Sequence, residues 1–263
     1  MSFPFYWVDA FTDRVFQGNP AGVVPLAQWL SDSVLQQIAF ENGLSETAFF
    51  VRLAPGRHHL RWFTPRVEMD LCGHATLACA HVLFTELGEA TMSIDFETRS
   101  GVLTILRLPD GKLEMDFPSR PPSPASEAGA LGLALGANPV AVLANLNNWL
   151  CVYESESQVR ALKPDFAALG RIAPGRVIVT APGNGVVDFT SRFFAPGVGI
   201  DEDPVTGSAH CALIPYWAAR LGRKSLHALQ VSARGGELWC SLDGDRVKMA
   251  GFAMLYMKGE IHV

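Results

Sequence analysis

Short runs in which apolar and polar residues alternate recur along the chain and predict strands. In the first half these are "FYWVDAF" (5–11), "ETAFFVRL" (46–53), "HHLRWFT" (58–64), "MSIDFET" (92–98), "GVLTILRL" (101–108) and "LEMDFP" (113–118). In the second they are "NNWLCVYES" (147–155), "RVIVTAP" (176–182), "GVVDFTSRFF" (185–194), "ALQVSAR" (228–234), "ELWCSL" (237–242) and "VKMAGFAMLYM" (247–257). Helical periodicity replaces alternation in four places. "SDSVLQQIAFEN" (31–42) is amphipathic, with Ser31 or Ser33 as candidate N-cap. "PDFAALGR" (164–171) is short. The other two, His74 to about Leu87 and Ser208 to about Leu221, carry few charges and are apolar most of the way round. Such helices must be enclosed by protein, so each half is expected to wrap its sheet around one central helix.

Four prolines in "FPSRPPSP" (117–124) mark a boundary near the middle of the chain. The halves on either side resemble each other. "RWFTPRVEMD" (61–70) aligns without a gap on "RFFAPGVGID" (192–201), with Arg61/Arg192, Phe63/Phe194, Pro65/Pro196, Val67/Val198 and Asp70/Asp201 identical. With a three-residue insertion placed after that block, "GHA" (73–75) falls on "GSA" (207–209), each opening one of the two enclosed helices. The expected fold is α+β, two pseudo-repeated domains at 1–117 and 118–250.

Composition removes several classes of function. With 49% hydrophobic and 18% charged residues the 263-residue chain is globular, and a net charge of −5 without any Lys/Arg cluster provides no field for nucleic acid. The N-terminus "MSFPFYWVDAF" shows no signal-peptide pattern and no run approaches a membrane span, so a cytoplasmic protein with no membrane partner is expected. Five scattered cysteines without a CxxC pair read as free, buried thiols. Neither GxxxxGK[ST], GxGxxG nor a GxSxG elbow is present.

"DLCGHATLACAHVLF" (70–84) gathers Cys72, His74, Cys79 and His81. On a helix His74 and His81 are about 10.5 Å apart along the axis, too far to share one ion, and Cys79 and His81 point apart. No metal site is expected. Cys72 and His74, two residues apart across a tight turn, look poorly placed for a nucleophile–base dyad. Gly73 and His74 are more informative. They open a buried helix whose free N–H groups and positive dipole end attract anions, and Gly207 and Ser208 open its counterpart. Two such entrances facing one another would suit a small carboxylate. Alternatively, His74 is a cap or a satisfied core histidine.

An acid or base for such a site is available in "ENGLSETAFF" (41–50), where Glu46 stands at the mouth of an apolar strand. A solvated strand-edge glutamate is the other reading. "GIDEDPVTGSAHC" (199–211) sets Asp203 nearest the second glycine turn, as a group to orient His74 or a substrate amine or as an ordinary helix-proximal acid.

"FTDRVFQGNPAGVV" (11–24), "LSETAFF" (44–50), "RWFTPRVEMDLCGHATLACA" (61–80) and "RFFAPGVGIDEDPVTGSAHC" (192–211) together resemble, in order and spacing, the PhzF-like phenazine-biosynthesis isomerases. That resemblance implies a diaminopimelate-epimerase-like fold, each half a barrel-like, mostly antiparallel sheet around a central helix, with a C-terminal strand at about 251–263 returning to the first half. It implies a cofactor-free isomerase in which Glu46 shuttles a proton and His74, Asp203 and Ser208 line the pocket, and a homodimer. Diaminopimelate-type epimerases place a thiol before the glycine of each turn. Here Cys72 takes the first such place and "DPVTG" leaves the second without one, which excludes a two-thiol racemase. Cys72 as a lone thiol base remains the alternative enzyme, its plain reading being a small residue packing the turn. A non-catalytic small-acid binding protein is the alternative of another class.

Overall fold

Residues 1–126 and 128–263 are described by the computed structural model, which divides into two units. One is Met1–Asp116 with Ala250–Val263, the other Phe117–Met249. The first holds β1 (Ser2–Ala10), β2 (Asn19–Leu26), α1 (Asp32–Asn42), β3 (Glu46–Ala54), β4 (Arg57–Phe63), β5 (Glu68–Met69), α2 (Gly73–His81), β6 (Ser93–Thr98), β7 (Gly101–Arg107) and most of β8 (Leu113–Pro118). The second contains β9 (Ser123–Pro124), α3 (Ala128–Leu135), β10 (Ala141–Ala144), β11 (Trp149–Val152), α4 (Glu156–Ala161), α5 (Phe166–Arg171), β12 (Val177–Pro182), β13 (Phe189–Ala195), β14 (Ile200–Asp203), α6 (Gly207–Leu221), β15 (Ser225–Gln230), β16 (Gly236–Asp243) and most of β17 (Arg246–Gly251). The last strand, β18 (Ala253–His262), pairs with β1.

Strand order repeats between the units. In the first it runs β18–β1–β2–β3–β4–β6–β7–β8, antiparallel except for β2–β3 and β4–β6. In the second it runs β9–β10–β11–β12–β13–β15–β16, antiparallel except for β11–β12 and β13–β15. Each sheet has a helix on either side. Phe5, Val24, Phe49 and Phe63 point outward onto Leu35, Ile38 and Ala39 of α1. The opposite face holds α2, which packs on β1, β2, β3 and β18. Because strand side chains alternate, Glu46, three residues before the outward Phe49, is on the α2 face. In the second unit Val177, Val179 and Phe194 meet α3, α4 and α5 outside. Inside, Trp217 of α6 stacks on Phe189 at 5.6 Å, and its indole N–H donates to Thr180 Oγ1 at 3.0 Å.

Several elements depart from the sequence pattern. Ser31 is the N-cap residue of α1 without a side-chain capping bond. The helix expected to reach Leu87 is α-helical only to His81; Val82–Glu86 is a π-helical turn closed by Leu87 N–H to the Val82 carbonyl at 3.0 Å. "VKMAGFAMLYM" is two strands, β17 and β18, broken at Phe252. Helices α3 and α4 carried no periodic signal.

The repeat is real, but its insertion sits elsewhere. Phe63 pairs with Glu68, and its counterpart Phe194 with Glu202. Arg61 grips Glu68 through two bonds of 2.7 and 2.8 Å, and Arg192 grips Glu202 through two of 2.8 and 2.9 Å. Four residues (64–67) separate Phe63 from Glu68 and seven (195–201) separate Phe194 from Glu202, with Ala195 paired to Ile200 after a register shift, so the extra three residues are within the hairpin. Asp70 and Asp201 are therefore not equivalent. Met69 corresponds to Asp203, since each pairs with the matched Trp62 or Phe193.

Candidate active site

Glu46 begins β3 beside Ala21 of β2, and only 7% of its surface is exposed. His74 is the second residue of α2 and 6% exposed. Their side chains meet inside the first unit. Oε2 of Glu46 and Nε2 of His74 are 3.2 Å apart, an ion-pair distance whose angle falls outside hydrogen-bond geometry, and neither atom has another partner. Each group is the charge partner of the other, which offsets part of the cost of burying both.

Cys72 supplies the third member. Its thiol, 7% exposed, lies 3.5 Å from Nδ1 of His74. The pairing across the turn that sequence spacing disfavours is therefore made. The cause is the N-cap backbone, extended at φ −144° and ψ 110°, which swings the Cys72 side chain over the first turn instead of away from it. Thr76 Oγ1 and N–H both bond the Cys72 carbonyl, at 2.6 and 3.3 Å, and lock that corner.

Electrostatics follow from this order of groups. Burial raises the Cys72 pKa, and the nearby Glu46 carboxylate raises it further. Burial opposes charge on His74, but the Cys72 sulfur and the Glu46 carboxylate on its two sides outweigh it and hold the imidazolium well above the ordinary histidine range. Ligand atoms of Glu46, Cys72 and His74 lie within 4.8 Å of one another. The ring, however, presents a different nitrogen to each neighbour, and the cluster sits at a helix N-terminus, so side chains would have to shift, against the dipole, to converge on a cation.

The second unit builds a related corner. Gly207 opens α6 after Thr206, the N-cap counterpart of Cys72, and Ser208 is exposed on its first turn. Asp203 accepts the Thr206 hydroxyl at 2.5 Å, and Gln230 bonds the Thr206 N–H and the Asp203 carbonyl at 2.9 and 2.8 Å. His210 matches Thr76, with Nδ1 2.8 Å from the Thr206 carbonyl, and burial pushes its pKa down to about 4. Gln230 and Thr76 went unnoticed in the sequence. Only the spacing of four from each N-cap could have flagged Thr76 and His210. All five cysteines are free and buried, and no helix among the described residues is long and apolar enough to cross a membrane.

A Pseudomonas aeruginosa protein named as an uncharacterized isomerase is 54% identical over 263 residues, 100% of each chain. The crystal structure of a PhzF-family phenazine biosynthesis protein from Enterococcus faecalis superposes with a TM-score of 0.96 at 45% identity, covering 100% of both chains. A probable proline racemase from Agrobacterium radiobacter shares the fold, with a TM-score of 0.65 at 10% identity over 99% of this chain and 93% of that one. A profile described as phenazine biosynthesis-like protein matches residues 8–259, and the chain belongs to that family of isomerases.

Proposed function

We propose that the protein isomerises a small carboxylate, such as an amino-hydroxy cyclic acid, by moving a proton between carbons, with Glu46 as the shuttle. The observation that carries this reading is the buried approach of Glu46 Oε2 to His74 Nε2 without a hydrogen bond on either atom. Glu46 takes a proton from an activated carbon, leaving the electron pair conjugated with the substrate's unsaturation, and returns it at another carbon. One C–H bond breaks, another forms and a double bond shifts, so no oxidant or reductant is required. The imidazolium of His74 beside the base stabilises negative charge developing on the substrate. N–H groups of the first turn of α2 suit a substrate carboxylate. A thiolate base is the weaker reading, because burial and the neighbouring Glu46 carboxylate both raise the Cys72 pKa.

Incubation in deuterium oxide with candidate unsaturated amino and hydroxy acids tests the assignment. NMR should show deuterium entering a substrate carbon, and Glu46→Gln should lower the rate by about 100-fold or more, the scale of losing a positioned acid/base. Binding of such acids without exchange would favour the small-acid binding protein instead.

A further inference from the structure

We propose that Cys72 is a positioning residue, whose sulfur holds Nδ1 of His74 so that Nε2, the nitrogen facing Glu46, carries a proton in both charge states of the ring. The inference rests on the assignment of Glu46 and His74 to proton transfer. A thiol can donate or accept, weakly in either direction. When His74 is charged, Nδ1–H donates to the sulfur; when it is neutral, S–H donates to Nδ1 and the remaining ring proton stays on Nε2. The contact is 3.5 Å, and the thiol is held over the ring by the extended N-cap and the two Thr76 bonds to the Cys72 carbonyl.

His210 shows what a different partner does. Its Nδ1 faces the Thr206 carbonyl, which only accepts, so Nδ1 must keep the proton and Nε2 is left bare. In the first unit Thr76 takes the corresponding carbonyl of Cys72, and His74 is left to the sulfur. A thiol at the N-cap, with Thr76 on its carbonyl, thus admits the tautomer opposite to the one His210 adopts, by donating to Nδ1 while Nε2 faces the Glu46 carboxylate. Thr206, at the equivalent N-cap, shows that a hydroxyl fits this corner. Serine should therefore replace Cys72 and alanine should not.

Nitrogen-15 NMR of the full chain labelled at histidine tests this without substrate, with His74→Gln identifying the resonances. Above the His74 titration, the wild type and Cys72→Ser should carry the ring proton on Nε2, whereas Cys72→Ala should move it wholly or partly to Nδ1. If the ring stays charged throughout, the Nδ1 proton should exchange more slowly in the wild type and Cys72→Ser than in Cys72→Ala. A wild-type neutral ring protonated on Nδ1 overturns the proposal even if the alanine variant does not fold. A Cys72→Ala ring that keeps Nε2–H, or equal exchange in all three proteins, also overturns it. On an exchanging substrate, Cys72→Ala should lose roughly 10- to 100-fold in kcat with KM nearly unchanged, and Cys72→Ser should recover most of it, the scale for a residue that orients a functional histidine. Failure to find any exchanging acid would count against the proton-transfer assignment and leave the tautomer result standing.

Discussion

Glu46 and His74 are 28 positions apart in the chain and 3.2 Å apart in space, and a pH dependence follows from the two neighbours of the His74 ring, the Cys72 sulfur and the Glu46 carboxylate. In the unfolded chain His74 titrates near its ordinary value of 6.5, while in the folded protein its pKa is well above that. A raised folded pKa adds stability that is complete below about pH 6.5 and is lost as pH rises through the folded value, each unit of elevation being worth about 1.4 kcal/mol. The melting temperature of the wild type should therefore fall more between pH 6.5 and 9.5 than that of His74→Gln. Parallel pH profiles for the two proteins would show that the pair does not hold the imidazolium. At this scale the sequence made Glu46 and His74 legible because an acid at a strand mouth and a histidine at a helix entrance are local patterns. The reach of Cys72 was not legible, because it depends on the extended N-cap φ and ψ, which residue types alone leave open.

Elements bring those residues together through close approach. Small side chains on α2, at Ala75, Ala78 and Ala80, allow the strands to lie near the helix axis, and all three are fully buried. Gly22 of β2 is packed equally tightly, on a strand paired with Thr47 next to Glu46. A Cβ there would stand 3.0 Å from the Phe5 ring, 3.2 Å from Thr47 Oγ1 and 3.3 Å from Leu44 Cδ1. Gly22→Ala is expected to cost about 1–3 kcal/mol through overpacking and to lower the melting temperature by several degrees in thermal denaturation. An unchanged melting temperature would mean that β2 has slack the structure does not show. Strand periodicity made β3, β4 and β12 readable in advance. It failed at α3, where "AGALGLAL" carries no polar positions from which to read a face. The hairpin insertion was misplaced because a gapless run of identities conceals a longer turn, whereas the Arg61–Glu68 and Arg192–Glu202 grips fix the true register.

At the scale of the molecule, a fold shared with a probable proline racemase at 10% identity is compatible with very different sequences. Four short blocks sufficed to place the family, while substrate identity lies in side chains that the fold leaves free to vary. The most consequential feature of the strand order is its end. β18 is the last strand of the chain and hydrogen-bonds along the whole of β1, from Ser2 with His262 to Ala10 with Ala253. It also packs against α2. Deleting residues 253–263 would strip β1 of its outer partner and uncover one side of the helix that carries His74. The outer core cluster of the second unit, which includes Leu131, Leu135, Val177, Val179 and Phe194, contains no residue from this strand. Hydrogen exchange of the truncated protein should therefore accelerate through 2–26 and 73–81 and stay near wild-type rates through 177–182, with loss of any Glu46-dependent deuterium incorporation. Equal acceleration in both regions would show that the two units unfold as one cooperative body, and no acceleration at all would show that β1 and α2 hold their places without the final strand.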